Sequence, residues 1–480
     1  MVGVRCFIDG AWEEGDGAAG APVINPATGS VVADVRWASV DQVGRAASAA
    51  RLAFDAGAWP RASKEDRAEA LRAIAEGMDA RREELIDLVV TEVGSPISFA
   101  SSGQVEAAIR QFAWYADATQ EMVTDEGLPE RAGPPASASV VSWEPGGVAA
   151  LITPFNFPLL VLAWKLGAAL SAGCTAVVLP SPITPLATEA FFRIIADLDL
   201  PPGVVNLVLA GPEGGAALTL HPDVDIVSFT GSVAVGSQVM RQAAGSVKKV
   251  ILELGGKSAG ILLTGGDVEL FASAMVSRVC RTAGQACAAI TRALVPKDDY
   301  ERFLSAAAVA VENVVVGDPL NPQTQMGPVI TAAARARIAG YVQRAVEAGG
   351  RVIAQGTCPA QCGGFFIEPT LVDGLPHDAE LCQEEIFGPV LVAMPYRDVD
   401  HAVALANGTR FGLSAAIWGP TEEALSLGRR LRDGTVSIGG GGAPRPDAPW
   451  GGFGQSGIGR ERGLLGIREF MEPKHIEWAT

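Results

Sequence analysis

The chain has 480 residues, which predicts two or three structural units, and it is 48% apolar and 19% charged, which excludes a disordered, coiled-coil or collagen-like protein. Its net charge of −17, with no Lys/Arg block, argues against a nucleic-acid partner. Seven cysteines without a repeated spacing argue against a disulfide framework, and 56 glycines exceed ordinary usage, pointing to tight turns and close backbone approaches.

The first ten residues lack the charged start and apolar core of a signal peptide, so the expected location is the cytoplasm. Residues 61–90 and 101–118 have the periodicity of amphipathic helices. Residues 127–135 form a Pro/Gly-rich stretch that reads as a turn region, followed by an alternating strand over 137–143.

From there the pattern becomes strand and helix in alternation. Strands are predicted over 148–152, 176–179, 204–209, 226–230 and 250–252, and helices over 159–172, 186–196 and 214–220. Residues 145–164 and 166–188 carry no charge and are long enough to suggest membrane spans. Pro154, Asn156 and Pro158 in the first, and Gly173, Pro180, Pro182 and Pro185 in the second, disrupt a lipid-exposed helix, so buried strand and helix are expected and no membrane association. A second α/β unit is predicted after Gly255-Gly256, running through Val295, Val314 and Leu391 to about Ser437. Strands 137–143 and 474–478 fit a compact core poorly and read as edge strands for subunit contact.

Several apparent signatures fail on context. Gly452 to Gly457 satisfies G-x-G-x-x-G but follows a Pro-rich loop rather than a strand. Gly255-Gly256-Lys257-Ser258 resembles the end of a P-loop, yet Ile251 stands where the first glycine is needed. The histidines lack metal-ligand spacing and Cys358 and Cys362 have no second pair, so no metal is expected.

What remains is a thiol, a carboxylate and an amide, each beside small or rigid residues: Gly284-Gln285-Ala286-Cys287, Glu253-Leu254-Gly255-Gly256-Lys257 and Pro154-Phe155-Asn156-Phe157-Pro158. Singly, these also fit a core cysteine, a solvated strand end and a turn former. Together they supply a nucleophile, a base and an oxyanion donor for acyl transfer.

In these segments the chain resembles the aldehyde dehydrogenase superfamily. Further matching segments are Asn25-Pro26-Ala27-Thr28-Gly29, Phe229-Thr230-Gly231-Ser232, Glu385-Ile386-Phe387-Gly388-Pro389-Val390, Pro449-Trp450-Gly451-Gly452 and Ser456-Gly457-Ile458-Gly459-Arg460-Glu461, all in family order. The resemblance implies an α/β fold with a Rossmann-type cofactor domain (1–122 and 144–254), an α/β catalytic domain (255–440) and a small β bridging element (123–143 and 463–480) that builds a homodimer or homotetramer. It also implies oxidation of a small-molecule aldehyde to the acid, with Cys287 as nucleophile, Glu253 as general base and Asn156 as oxyanion donor.

NAD would lie against Ile152, Thr153, Pro154 and Phe155, with its pyrophosphate at Ser232 after Phe229 and Gly231. Gly211 and Gly215 would flank the adenosine end, Leu254 the nicotinamide amide, and Glu385 and Phe387 the nicotinamide ribose. Phe157, Val161, Trp164, Ala286, Ala288 and Trp450 would border the aldehyde.

The chain departs from the family at three places. In Val177-Val178-Leu179-Pro180-Ser181-Pro182, Leu179 replaces the lysine that holds the adenosine ribose beside Ser181, which predicts weak NAD binding and NAD preferred over NADP. Further on, Gly439 replaces an asparagine that the family often carries there, and Gly454 replaces a lysine. Residues 439–442 are all glycine, and with Ala286 and Ala288 they suggest room for a bulky or extended aldehyde; Arg445 is a candidate for a substrate carboxylate. A rival reading is a cofactor-independent esterase or thioesterase using the same Cys287, Glu253 and Asn156, and another is a non-catalytic member of the fold.

Overall fold

The computed structural model describes residues 4–132, 136–358, 363–441 and 445–480, and the chain organises around two large sheets. The first has eight strands in the order Gly457–Ile458, Lys249–Glu253, Ile226–Thr230, Val148–Ile152, Thr175–Leu179, Val205–Leu207, Cys6–Ile8 and Ala11–Glu13. Its five central strands are parallel, and antiparallel strands flank both sides. These central strands are short, mostly buried apolar runs, as strands covered by helices on both faces must be.

The second sheet has seven strands in the order Arg351–Gln355, Thr370–Asp373, Val390–Tyr396, Ile290–Pro296, Ser258–Leu262, Ser414–Trp418 and Thr435–Ile438. All but its first strand run parallel. Each sheet anchors its own apolar core. The α/β class expected from the alternating pattern is what the chain adopts, and among the described residues no helix is long and apolar enough to cross a membrane.

A third, three-stranded antiparallel sheet joins Met471–Ala479, Ser137–Pro145 and Asp125–Arg131, and almost none of it is buried. Here the sequence expectation needs correction. Residues 125–131 form a strand rather than a turn, because pairing with Ser137–Pro145 overrides a composition poor in β-formers; residues 133–135 lie outside the described residues.

The predicted helix over 61–90 is two helices, Lys64–Ala80 and Arg82–Val93, broken at Arg81 (φ −110°, ψ 22°), and the first opens on a Ser63/Asp66 capping box. The predicted helix at 101–118 begins with one wide π turn over Ala100–Val105 before Glu106–Glu121. Val314 lies outside any strand, following the helix Tyr300–Glu312.

The helix Pro158–Ala172 is almost wholly buried, and it carries Lys165, the one charge between the two uncharged stretches. Lys165 Nζ donates to Glu461 Oε1 at 2.5 Å and to Ser228 Oγ at 2.8 Å. That charge pair ties the C-terminal segment to the centre of the first sheet.

Candidate active site

The two sheets meet where the chain leaves Lys249–Glu253 in the first and enters Ser258–Leu262 in the second, through Leu254-Gly255-Gly256-Lys257. The turn is held from both sides. Leu254 N–H donates to the Ser456 carbonyl at 2.9 Å, and Ser456 Oγ donates to the Gly255 carbonyl at 2.7 Å. A Cβ on Gly255 would lie 2.1 Å from Glu385 Oε2, and one on Gly256 would lie 2.5 Å from the Cys287 carbonyl oxygen. Side chains at either position would therefore push these two segments away.

Cys287 follows the short 3₁₀ segment Arg281–Gly284, in which Thr282 and Ala283 hold positive φ (52° and 51°). Such backbone is strained for residues with side chains. Gln285 fixes the loop: its Nε2 donates to the Thr282 carbonyl at 3.1 Å, and its Oε1 accepts from Ile330 N–H at 2.9 Å. Asn156 Nδ2 donates to the Gln285 carbonyl at 2.7 Å, which orients the amide beside the nucleophile loop; an amide nitrogen carries two donors, so a second N–H remains.

Glu253 closes its strand, 2% exposed, with neither carboxylate oxygen hydrogen-bonded. Burial raises its pKa well above the carboxylate range, and Glu461 raises it further, while Lys165 opposes the shift. Burial likewise raises the Cys287 thiol, with the Glu253 and Glu385 carboxylates adding to it. Glu385 accepts from Gly256 N–H at 3.3 Å, and burial brings its pKa to about 7. An anion on any one of these groups thus disfavours charge on the others.

All the residues assigned from the sequence to catalysis, cofactor or aldehyde line one cavity of about 1360 Å³, whereas Gly439 and Gly454 are not among its lining residues. Ile152, Thr153, Pro154 and Phe155 follow the central strand, and Thr153 N–H donates to the Leu179 carbonyl at 3.1 Å, bringing Leu179 and Ser181 alongside. Gly211, Gly215, Phe229, Gly231 and Ser232 continue that end, and Ser232 caps the helix Val233–Ala244 through Val235 N–H. Leu254 and Phe387 complete this wall, with Phe387 (φ 52°) edge-on to Phe155 at 5.7 Å.

The other end holds Phe157, Val161, Trp164, Ala286, Ala288 and Trp450, and the Trp164 and Trp450 ring centroids are 5.9 Å apart. Arg445 also lines the cavity, but its guanidinium is paired with Asp447 at 2.6 Å. In the glycine loop, Gly439, Gly440 and Gly441 hold positive φ of 58°, 89° and 73°; Gly442 lies outside the described residues. Among the described residues no group of three or more His, Cys, Asp or Glu side chains gathers into a metal-holding cluster.

Sequence reasoning missed several groups here. Lys165 and Glu461 sit behind Glu253, and Arg278, Arg281, Arg337 and Arg462 line the cavity. Lys165 was marked by its isolation in an uncharged helix; the arginines bore no signal, since a surface arginine and a cavity arginine read alike.

A buried carboxylate, a thiol on a strained loop and an oriented amide share a cavity at the strand ends of an α/β sheet, the set of groups that acyl transfer through a thiol requires. The chain belongs to the aldehyde dehydrogenase family, whose profile matches residues 12–476, and it is accordingly an oxidoreductase acting on the aldehyde group. It is 36% identical to a betaine aldehyde dehydrogenase of Bacillus subtilis, over 98% of this chain and 96% of that protein. Its structure superposes with TM-score 0.95 on betaine aldehyde dehydrogenase from Staphylococcus aureus in complex with NAD+ (34% identity, 99% of this chain and 94% of that one). With TM-score 0.93 it matches a variant of aldehyde dehydrogenase C from Pseudomonas syringae in complex with NAD+ and octanal (37% identity, 98% and 96% covered).

The crossing gives a direct test. Gly256→Ala places a Cβ against the Cys287 backbone rather than against a flexible side chain, so the nucleophile must move. Turnover is expected to fall by about 10²-fold, the effect of a misplacement near 1 Å, with a loss of stability of about 1–3 kcal/mol from the overpacked contact. Steady-state kinetics beside a melting curve check this.

Proposed function

We propose that the chain oxidises a bulky or extended aldehyde to its carboxylic acid with NAD, through a thiohemiacetal and a thioester on Cys287, in the reducing cytoplasm. The observation that carries this reading is the convergence of Cys287, Glu253 and Asn156 on one cavity. At about 1360 Å³ it exceeds the roughly 300–1,000 Å³ of a single-ligand pocket, leaving space for a dinucleotide and a substrate together.

Residues at the strand ends fit a dinucleotide. The Thr153 and Thr230 hydroxyls are buried without partners along that wall, and a Cβ on Gly215 would meet open space. Ser232, at the start of a twelve-residue helix, would receive the pyrophosphate. Ile152, Thr153, Pro154 and Phe155 would carry the nicotinamide half with Leu254, while Glu385 and Phe387 would hold its ribose. Leu179, Ser181, Gly211 and Gly215 would bound the adenosine half, along with Phe229 and Gly231.

Cys287 Sγ adds to the aldehyde carbon as the thiol proton passes to solvent, and the oxyanion that forms is held by the free Asn156 N–H and the Cys287 backbone N–H. A bound nicotinamide would supply the acceptor for the hydride on that carbon. Glu253, once ionised, takes a proton from the water that attacks the thioester, which releases the acid and restores the thiol. Its raised pKa means that this base is fully available only above the usual carboxylate range, so turnover is expected to climb as pH rises beyond that range.

NAD reduction by purified protein over a panel of aldehydes tests this scheme. Cys287→Ala should abolish turnover, Asn156→Ala should cost on the order of 10²–10³-fold, and Glu253→Gln should leave a single burst of NADH and flatten the pH rise. Acetaldehyde should be the poorest of the panel, and a preference for it would refute the size claim. Ester cleavage indifferent to NAD, without NAD reduction, would favour the hydrolase reading.

NAD should bind weakly and NADP more weakly still, because Leu179 offers no charge to either ribose. Leu179→Lys should tighten NAD by about one to two decades, the worth of a charge-assisted hydrogen bond of roughly 1.5–3 kcal/mol. Dissociation constants from calorimetry check this, and NADP binding tighter than NAD would overturn the preference.

We also propose that the three-stranded sheet assembles a homodimer or homotetramer. Leu128, Ile476 and Trp478 are exposed on it, and the Met471–Ala479 strand has a free edge. Sedimentation velocity should find a dimer or tetramer, and Ile476→Lys with Trp478→Lys should shift it toward monomer.

A further inference from the structure

We propose that the aldehyde bears a carboxylate at its far end and that Arg281 receives it. This rests on the aldehyde-oxidising reading above and names its substrate class. Five arginines line the cavity (Arg278, Arg281, Arg337, Arg445 and Arg462), against two carboxylates, Glu253 and Glu385.

Four of the five are already engaged. Arg278 donates to the Gly440 carbonyl at 2.5 Å, Arg337 donates to the Ile386 carbonyl at 2.6 Å, and Arg445 pairs with Asp447 at 2.6 Å. Arg462 donates to the Arg445 carbonyl and lies over the Trp164 and Trp450 rings at 5.4 and 5.9 Å. Among the described residues Arg281 has no hydrogen bond or ion pair on its guanidinium; its contact is with the Phe99 ring, 5.1 Å from the centroid. Phe99 in turn meets Phe157 edge-on at 6.1 Å, and Phe157 follows Asn156 in sequence. Arg281 therefore stands at one end of an aromatic surface whose other end is the oxyanion donor.

A guanidinium held in place without an anion is matched by a ligand carboxylate, which its planar fork takes with two parallel hydrogen bonds. The same wall disfavours a cationic aldehyde. Trp164 and Trp450 would be the natural faces for an ammonium group, but Arg462 already lies over both and would repel a second cation. Neither cavity carboxylate pairs with Arg281: neither Glu253 oxygen has a hydrogen-bond partner, and Glu385 accepts from Gly256.

The test compares straight-chain alkanals from butanal to octanal with the ω-oxo acids of the same lengths, and with betaine aldehyde, using NAD and the wild-type chain. The expected result is that at least one ω-oxo acid has a kcat/KM tenfold or more above its matched alkanal, with betaine aldehyde below both. In Arg281→Gln that ratio should collapse by about 10–100-fold, mainly through KM for the oxo acid, and Arg281→Lys should restore part of it. A merely structural role would lower kcat/KM for both substrate types and leave their ratio unchanged, which overturns the proposal. So would a preference for alkanals or for betaine aldehyde in the wild type. If no aldehyde of the panel is oxidised, the dehydrogenase reading falls with it; if alkanals are turned over without a carboxylate preference, only this inference falls.

Discussion

The active site depends on a single passage of chain, from the end of Lys249–Glu253 through Gly255-Gly256 into Ser258–Leu262. Those two glycines have no side chains because two other segments occupy the space: Glu385 lies against the first and the Cys287 backbone against the second. The contact fixes the Cys287 loop, which belongs to the second sheet, against the carboxylate that ends a strand of the first. Everything chemical then follows from where two strands stop. Gln285 and the Asn156 amide lock the loop from the opposite side, so the thiol is approached by two rigid elements rather than carried on a mobile one.

Electrostatics divides the cavity into two unlike ends. Along the Leu179, Ser181 and Ser232 wall the lining is uncharged, with hydroxyls and a helix start as its polar groups. Beside the aromatic wall, Arg281 and Arg462 supply positive charge, and the glycine loop is tied down by Arg278. Between them sit Glu253 and Glu385, both raised by burial, so the centre carries less negative charge near neutral pH than its residue count suggests. Lys165, paired with Glu461 behind the strand, opposes that shift at Glu253 with its own charge.

Much of this was legible in the sequence, for specific reasons. The strands at Val148–Ile152 and Ile226–Thr230 and the helix Leu186–Ala196 coincide with their predicted limits, because a buried parallel strand is a short apolar run and its boundaries are marked by glycine and proline. The thiol, carboxylate and amide stood out through their glycine and proline neighbours, and all three line the cavity. Where tertiary context decides, the signal was absent. The strand Asp125–Arg131 exists only because Ser137–Pro145 is there to pair with it. The break at Arg81 has no proline or glycine to announce it. Arg281 could not be distinguished from a solvated arginine, since its position over Phe99 joins residues far apart in the chain.

On the proposed reading, the neutral Leu179 at one end of the cavity and Arg281 at the other, which has no hydrogen bond or ion pair on its guanidinium among the described residues, bear on each other. Total binding energy limits an enzyme less than where that energy is applied. A cofactor held without a charged contact at its adenosine ribose dissociates more readily, while an aldehyde anchored by its far end is oriented before its carbon meets Cys287. Remote binding energy from such an anchor can be used to align the reacting carbon with the thiol and the Asn156 amide, which a short alkanal lacking that group cannot do. On this view the broad glycine loop and the aromatic wall accommodate chain length, and discrimination falls to one guanidinium.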